Sequence, residues 1–220
     1  MKLLVIDIGG NSVKPAMVTQ SKVVKCDKLP SGRDLTPHKV VRHIRRLELK
    51  FDRVVVGYPG VIHNGKIKCE PINLGKGWKK FDFKKAFDKP VHLINDAALQ
   101  AYGSYSGSGR MLFLGLGYGL GTCIVDDWHI LPLEAGHLPF KKKTFESLVG
   151  TKALESSGKV RWQSNVSEAI EALRFCLLAD EVVIGGGNSK KLDPFPKGCK
   201  KGDNDNAFIG GLRLIKKAPS

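Results

Sequence analysis

Residues 2–18 read KLLVIDIGGNSVKPAMV and contain both a strand and a polar motif. The apolar, partly β-branched run Lys2–Ile8 predicts a buried strand that stops at a pair of glycines. Apolar residues return at Val13–Val18 and again at Val23-Val24, which predicts consecutive antiparallel strands. Because Asp7 comes at the end of the first strand, directly before the glycines, its carboxylate is a candidate holder of hydrated Mg²⁺.

The same order of elements occurs in both halves of the chain. A strand over 111–114 is followed by a hairpin, 122–125 with 128–131, as the first strand is followed by its own antiparallel partners. In each half a helix and another strand come next, which predicts an α/β fold of two similar lobes. The expected later elements are helices over 36–50, 81–87, 97–105, 164–178 and 206–215, strands over 53–56, 91–94 and 181–184, a hairpin over 61–68 turning at Asn64-Gly65, and a stretch 141–161 with little pattern.

Charge and cysteine content restrict the class of protein. Lys and Arg number 36 against 21 Asp and Glu, a formal net charge of +15. A field of this sign attracts nucleic acid, membrane phosphate or a phosphate-bearing substrate, although a solubilising surface is an equal alternative. The five cysteines are odd in number and form no C-x-x-C, so we expect neither a zinc ribbon nor a disulfide framework.

Targeting signals are not evident in the sequence. The longest apolar runs are far shorter than the ~20 residues that a membrane span needs. The acid at position 7 makes the apolar start too short for a signal peptide. We therefore expect a cytoplasmic protein without a membrane partner.

Three glycine loops each follow a predicted strand. Glycine lets the backbone approach a ligand, and successive amides can then surround phosphate oxygens. None of the loops matches the Walker pattern, and the second precedes a strand rather than a helix, which argues against a dinucleotide-binding motif. The loops are Asp7–Lys14, Gly115–Thr122 and Gly185–Lys191.

Two polar pairs are candidates for contact with a hydroxylated substrate. Asn95-Asp96 opens the helix after a strand, where either residue could be a simple N-cap or the general base that deprotonates an attacking hydroxyl. Glu134 and His137 flank Gly136 and can both bind vicinal hydroxyls of a sugar. A zinc site at His137 would need further Cys or His ligands nearby. Because the next cysteine along the chain is Cys176, we expect no zinc site here.

These motifs together resemble the ROK sugar kinases, within the actin/hexokinase/Hsp70-like ATPase (ribonuclease H-like) fold. The branch that they resemble most is the polyphosphate glucokinases, and the likeness extends over nearly the whole chain in motif order and approximate spacing. It implies a two-lobed α/β fold with an active-site cleft between the lobes. The motifs are Asp7–Gly10 with Lys14, Gly57–Val61, Asn73-Leu74 with Trp78, Asn95–Ala97, Gly117–Gly121, Glu134–His137 and Gly185–Lys191.

The resemblance also implies a role for each residue. Asp96 would be the base that activates the 6-hydroxyl of glucose, and Asp7 would hold Mg²⁺ through water. The residues expected at the sugar are Pro59, Gly60, Asn73, Asn95, Asp96, Glu134 and His137. Those expected at the phosphates or nucleotide are Asp7, Gly9, Gly10, Asn11, Lys14, Gly117, Tyr118, Gly119, Gly121, Thr122, Gly185, Gly186, Gly187 and Asn188.

The expected ligands and lobes follow from the same resemblance. The phosphoryl donor would be ATP, inorganic polyphosphate or both, with Mg²⁺ and without zinc, and a homodimer is compatible with the family. Residues 1–94 would form the first lobe and 95–202 the second, with helix 203–217 packing back on the first.

Departures from the family pattern keep other functions open. Asn11 stands where the family usually has Thr or Ser, and Tyr118 replaces the Thr of a G-T-G loop. Both favour a non-catalytic sugar or polyanion sensor on the same fold. The cysteine-rich zinc segment of many members is missing after His137, as it is in the polyphosphate branch. A nucleic-acid-binding protein is disfavoured because aromatic and basic residues are not interleaved in a recognisable module.

Overall fold

The computed structural model describes residues 1–217, which divide into two compact units. The first unit is Met1–Leu99 together with the chain from Ala207 onward, and the second is Gln100–Asn206. Each unit has its own sheet and its own apolar core. Among the described residues, no helix combines the length and apolarity needed to cross a bilayer.

The first unit is built around a six-stranded sheet. Its elements are β1 (Leu3–Ile8), β2 (Ser12–Val18), β3 (Val23–Lys25), β4 (Leu29–Pro30), α1 (Pro37–Arg46), β5 (Arg53–Tyr58), β6 (Ile62–His63), β7 (Lys66–Ile67), α2 (Phe83–Phe87), β8 (Val91–Asn95) and α3 (Asp96–Ser104), the last of which continues into the second unit. The main strand order is β3-β2-β1-β5-β8, with β4 on β2. All six residues of β1 are buried, as expected for a central strand covered on both faces.

The second unit contains a five-stranded sheet. Its elements are β9 (Arg110–Leu116), β10 (Leu120–Asp126), β11 (His129–Leu133), β12 (Pro139–Phe140), β13 (Lys143–Thr144), α4 (Phe145–Val149), α5 (Thr151–Cys176), β14 (Glu181–Gly185) and β15 (Cys199–Lys201), and α6 (Asn206–Lys217) follows. The strand order is β11-β10-β9-β14-β15. In the first sheet β2 runs antiparallel to β1 and β3, whereas β5 and β8 run parallel to β1. In the second sheet β10 runs antiparallel to β9 and β11, whereas β14 and β15 run parallel to β9. The predicted pair of similar α/β lobes is thereby confirmed.

The ends of α1 show how local chemistry sets a helix boundary. Thr36 caps its start by accepting the Lys39 N–H (3.3 Å), and Pro37 occupies the first turn. The prediction of a helix to residue 50 is wrong because Glu48 takes a left-handed backbone (φ 49°) and closes the helix on Arg45. The buried stripe of α1 nevertheless follows the predicted spacing, through Val40, Val41 and Ile44.

The first hairpin turns where its sequence predicts, and the second turns one residue later than predicted. Asn64-Gly65 forms the turn between β6 and β7, with φ of 51° and 66°, as the dipeptide indicates. In the second hairpin the turn residues are Asp127 and Trp128, with φ of 46° and 62°, one position beyond the predicted Asp126-Asp127. Packing moves this turn, because the Trp128 ring lies edge-on against Tyr102 and Tyr105 at 5.8 and 5.1 Å.

The polar stretch 141–161 contains structure that its composition conceals. It forms β13, α4 and the start of α5, and α4 opens on a capping box between Thr144 and Ser147. Three apolar residues spaced by four, Phe145, Val149 and Ala153, are buried in the second core. Gly158 (φ 77°) interrupts α5, so no single helical period extends across the stretch.

Helix α6 packs on the central strand of the first sheet. A Cβ on Gly211 would lie 2.6 Å from Cγ2 of Val5, so the helix approaches β1 closely only because this position lacks a side chain.

Trp162 offers a test of the second core. It is 0% exposed, and its Nε1–H donates to the Val149 carbonyl at 2.7 Å. We expect Trp162→Phe to lower the free energy of unfolding by about 1–3 kcal/mol, since the buried carbonyl loses its donor. Urea unfolding followed by circular dichroism measures this. Phe175→Leu, at a side chain that is 82% exposed, is the matched aromatic control and should shift stability by less than about 0.5 kcal/mol.

Candidate active site

The carboxyl ends of three parallel strands bring the predicted polar residues of the first unit to one edge. Asp7 on β1 pairs with Gly57 on β5, Gly57 pairs with Ile94 on β8, and Asn95 follows. In open α/β sheets ligands bind at this edge. A Cβ on Gly57 would lie 3.4 Å from Cα of Asp96 and 2.7 Å from Cδ2 of Leu99, so glycine lets α3 begin directly against β5.

Asn95 and Asp96 have different roles. Asn95 is nearly buried, and its Oδ1 accepts the Ala98 N–H (3.0 Å) as the cap of α3. Its Nδ2 donates to the Gly60 carbonyl (3.2 Å), which places Pro59-Gly60 beside the helix start. Asp96 is half-buried in the first turn, where its Oδ1 accepts the Ala97 N–H (2.9 Å) and the carboxylate is thereby oriented. Asn95 thus makes the N-cap hydrogen bond of α3, whereas Asp96 accepts the N–H of the residue that follows it.

Asn73 lies half-buried in the loop between β7 and α2. The Glu70 carboxylate braces this loop by accepting the N–H groups of Trp78 (3.0 Å) and Lys79 (3.2 Å). The Tyr58 hydroxyl donates to the Cys69 carbonyl (2.9 Å), which ties the loop to the end of β5. The sequence motif that contains Asn73 is thus attached to the same strand edge as Gly60.

The first glycine loop ends in a buried ion pair. Asp7 is 0% exposed, and its Oδ2 lies 3.0 Å from Nζ of Lys14, the residue opposite it on β2. Burial raises the pKa of Asp7, and the Lys14 ammonium opposes that shift. The half-buried glycines are held by a serine: Ser31 donates its hydroxyl to the Gly9 carbonyl (2.7 Å) and its N–H to the Asn11 carbonyl (3.1 Å).

The second and third glycine loops meet inside the second unit. The Gly117 carbonyl accepts from the Thr151 hydroxyl (2.9 Å), from the Thr151 N–H (3.0 Å) and from Nδ2 of Asn188 (3.0 Å). At Gly186 (φ 81°) a Cβ would overlap the Leu116 carbonyl, so only glycine fits there. A Cβ on Gly117 or Gly187 would meet nothing within 4 Å. These two backbones therefore face open space in which a ligand can approach them.

Tyr118 and Thr122 in the second loop differ in exposure. The Tyr118 ring is 40% exposed, with Nζ of Lys152 5.9 Å from its centroid. Thr122 is buried, and its hydroxyl donates to the Leu133 carbonyl (3.0 Å) and accepts the Ala135 N–H (3.1 Å). That hydroxyl positions the segment containing Glu134, and a phosphate contact by Thr122 stays a prediction. Half-buried Gly121 pairs with Gly115 of β9, which in turn pairs with Gly185.

Glu134 and His137 form the polar face of the next turn. Their Oε2 and Nε2 atoms are 3.7 Å apart, and both side chains are about half-exposed. Burial raises the pKa of Glu134, His137 opposes the shift and the charge of Glu146 adds to it. A Cβ on Gly136 would lie 2.7 Å from the Leu120 carbonyl, so this glycine lets the turn rest on the second glycine loop.

Two residues at this site were missed in the sequence. A Cβ on Gly119 would overlap the Glu146 carboxylate, so Glu146 lies against the second glycine loop and near Glu134. Thr151 joins the second and third loops. Glu146 lies within the Thr144-x-x-Ser147 capping pattern and Thr151 follows it. That pattern could have indicated a helix start with an acidic residue in its first turn.

The model of the ROK family matches residues 3–147. The chain belongs to the ROK family. The polyphosphate glucokinase of Mycobacterium tuberculosis (strain CDC 1551 / Oshkosh) is 26% identical over 208 residues, which cover 86% of this chain and 78% of that protein. The inorganic polyphosphate/ATP-glucomannokinase of Arthrobacter sp. strain KM superposes with a TM-score of 0.78 and 24% identity over 98% of both chains.

Another solved ROK structure extends the likeness in fold. A ROK family glucokinase from Streptomyces griseus, solved with glucose and AMPPNP, gives a TM-score of 0.81 at 14% identity and covers 99% of this chain and 100% of its own. The ROK chain described here thus has the two-lobed actin/hexokinase-like ATPase fold. Within residues 1–217, no group of three or more His, Cys, Asp or Glu side chains is arranged so that it could hold a metal ion.

The pKa shift of Glu134 predicts a pH dependence of stability. An acid whose pKa is higher in the folded state releases its proton first in the unfolded state, so stability falls as the pH rises from about 4.5 through the raised value. We expect wild type to lose stability relative to Glu134→Gln across that interval and the difference to become constant above it. Urea midpoints at closely spaced pH values measure this. Glu155→Gln, at an exposed position of α5, is the control, and a parallel pH profile for it and Glu134→Gln would contradict the assignment.

Proposed function

We propose that the protein is a sugar kinase that phosphorylates glucose at its 6-hydroxyl with ATP, inorganic polyphosphate or both. The observation that carries this proposal is the separation of roles at the start of α3. Asn95 satisfies the helix cap, and Asp96 presents an oriented carboxylate at the strand edge that also holds Asp7 and Gly60. A carboxylate so placed suits a general base for a substrate hydroxyl.

Each unit offers hydrogen-bond donors and acceptors that suit a sugar. In the first unit these are Asn95, Asp96 and the Pro59-Gly60 segment, with Asn73 on the braced loop. In the second unit Glu134, His137 and Glu146 form a compact polar group next to the second glycine loop. Carboxylates and imidazole are suited to a polyhydroxylated ligand because each can accept from a hydroxyl.

The donor would be bound mainly by backbone. The open space before Gly117 and Gly187 lets phosphate oxygens approach main-chain amides, and Asn188 holds the two loops together. Exposed Tyr118 and Lys152 lie beside this surface and could contact a longer phosphate chain. Gly9, Gly10, Asn11 and Lys14 would supply the corresponding contacts in the first unit.

Asp7 fits a hydrated divalent cation. Its buried Oδ1 accepts no hydrogen bond within the described chain, and a lone carboxylate is typical of Mg²⁺ sites that keep several waters and use substrate phosphates. When bound, the cation would supply neutralisation of charge on the transferring phosphoryl group. The chain itself would orient the 6-hydroxyl, accept its proton at Asp96 and place the donor through the glycine loops.

Product formation tests the proposal directly. Glucose is incubated with Mg²⁺ and either ATP or long-chain polyphosphate, and glucose 6-phosphate is measured. A sugar kinase gives product with at least one donor. Glucose binding by calorimetry without turnover from either donor would instead favour the sensor, for which Tyr118 and Asn11 are the motivating departures.

Asp96→Asn tests the general base. We expect turnover to fall by ~10²-fold or more while glucose affinity changes little, because the amide keeps the side-chain shape and cannot accept the proton. Turnover and calorimetric glucose binding are measured on the same preparation. Asp88→Asn is the matched control, since Asp88 ends α2 in a left-handed conformation (φ 51°) that Asn tolerates. Near-normal turnover of Asp96→Asn would remove Asp96 from catalysis.

Salt dependence tests the polyphosphate donor. Lys190 and Lys191 are the last two residues of the third glycine loop. Lys201 lies on β15, whereas Lys200 is paired with Glu181. A long polyanion releases counterions along such a surface, so we expect its KM to rise more steeply with salt than that of ATP. Replacing Lys190, Lys191 and Lys201 with Met should reduce the difference. The same change at exposed Lys39, Lys50 and Lys66 is the control, and equal effects of both triple variants would show that only net charge matters.

A further inference from the structure

The two oxygens of Asp7 have different surroundings. Oδ2 lies 3.0 Å from Nζ of Lys14, whereas Oδ1 is buried and has no hydrogen-bond partner among the residues that the structure describes. The residue is 0% exposed, so its charge cannot be compensated by bulk water. An ionised carboxylate in such a place requires a positive partner, and Lys14 supplies it here.

The β1–β2 pairing places Lys14 where its ammonium can contact Asp7 and can also move away from it. Asp7 and Lys14 are directly opposed in the antiparallel β1–β2 pair, so their side chains share one face of the sheet. The Lys14 side chain is 23% exposed, which gives its ammonium a path to solvent and to the loop. Lysine has a flexible four-carbon stem and a compact charge, so it can change partners without rearranging the backbone.

We infer that Lys14 and the divalent cation compete for Asp7. A cation at Asp7 with the ammonium still in place would put three positive charges around one buried negative charge, and like charges a few ångströms apart repel strongly in such surroundings. Lys14 must therefore leave Asp7 when the cation binds. A donor phosphate supplies the new partner for the ammonium, so cation and phosphate bind together far better than the cation alone.

This inference deepens the proposed function, because it assigns Lys14 as the residue that couples cation binding to donor binding. It makes Lys14 a positioning residue with two partners. In the free protein Lys14 compensates the charge of Asp7, and in the loaded protein it neutralises a phosphate of the donor. The β1–β2 register fixes the backbone of Lys14 opposite Asp7, so only the side chain has to move between the two partners.

Cation binding in the absence of sugar and donor tests the competition. Mn²⁺ affinity is measured by calorimetry, and the midpoint of thermal unfolding is measured with and without Mg²⁺. We expect Lys14→Met to bind Mn²⁺ at least ~10-fold more tightly than wild type. Its unfolding midpoint should be lower without cation and rise with Mg²⁺, while that of wild type responds little, because only the variant lacks a counter-charge at Asp7.

Three further variants make the result unambiguous. Lys22→Met, in the exposed turn between β2 and β3, is the matched control and should behave as wild type. Asp7→Asn combined with Lys14→Met should remove the response to Mg²⁺. Lys14→Arg retains the charge and should keep Mn²⁺ affinity at or below that of wild type, which serves as the test if the Met variant does not fold.

Unchanged Mn²⁺ affinity in Lys14→Met, or a Mg²⁺ response that survives the loss of Asp7, would overturn the inference. So would tighter Mn²⁺ binding in Lys14→Arg. These measurements involve no phosphoryl transfer, so their outcome is independent of the glucose 6-phosphate assay that tests the proposed function.

Discussion

A carboxylate buried at the end of a fully buried strand is the constraint on which much of the first unit depends. Asp7 cannot be solvated by bulk water, so the chain must supply a counter-charge from a neighbouring strand. The turn that contains the two glycines does this, because it brings Lys14 on β2 opposite Asp7 on β1. The parallel strands on the other side then add Gly57 and Asn95 to the same edge. The ion pair of Asp7 and the register of β5 and β8 thus bring the glycine loop, the lysine and the start of α3 to one edge.

The second sheet has the same strand order as the first, but uncharged residues occupy the corresponding positions. Where the first sheet has Asp7 between Lys14 and Gly57, the second has Gly115 between Gly121 and Gly185. The surface at this edge therefore consists of backbone, held in place by Asn188 and Thr151. The charged side chains of this unit lie instead on the turn with Glu134 and His137 and at Glu146 on α4. The same strand order thus carries a charged edge in one unit and a glycine-backbone edge in the other.

Tyr118 shows how a departure from the family pattern can be accommodated. A ring in place of a small hydroxyl would be costly if it pointed into the loop. The ring is instead exposed and lies under the Lys152 ammonium, while the Tyr118 carbonyl accepts the Thr151 N–H (3.2 Å). The backbone path of the loop is thus maintained by main-chain contacts, and the side chain is available to modify the surface around it.

Local pattern was enough to locate most of the elements and motifs. Apolar runs, Asn64-Gly65, and polar residues at strand ends carry their meaning in neighbouring positions, so the strands, the first hairpin and the Asn95-Asp96 helix start were all recognisable. The duplicated order of elements likewise indicated two similar lobes. Local pattern could not separate the capping role of Asn95 from the carboxylate of Asp96, because both residue types cap helices equally well.

Long-range packing decided the rest. Glu146 and Thr151 lie in a polar stretch of sequence and contact the second glycine loop. The helices of this stretch are stabilised because Phe145, Val149 and Ala153 are buried against the second sheet. The end of α1 and the turn at Trp128 depend on a left-handed residue and on aromatic packing, neither of which has a periodic signature. The unequal oxygens of Asp7 are likewise a property of strand register and burial. Such features follow from the free energy of contacts between residues far apart in the chain, and neighbouring residues do not specify them.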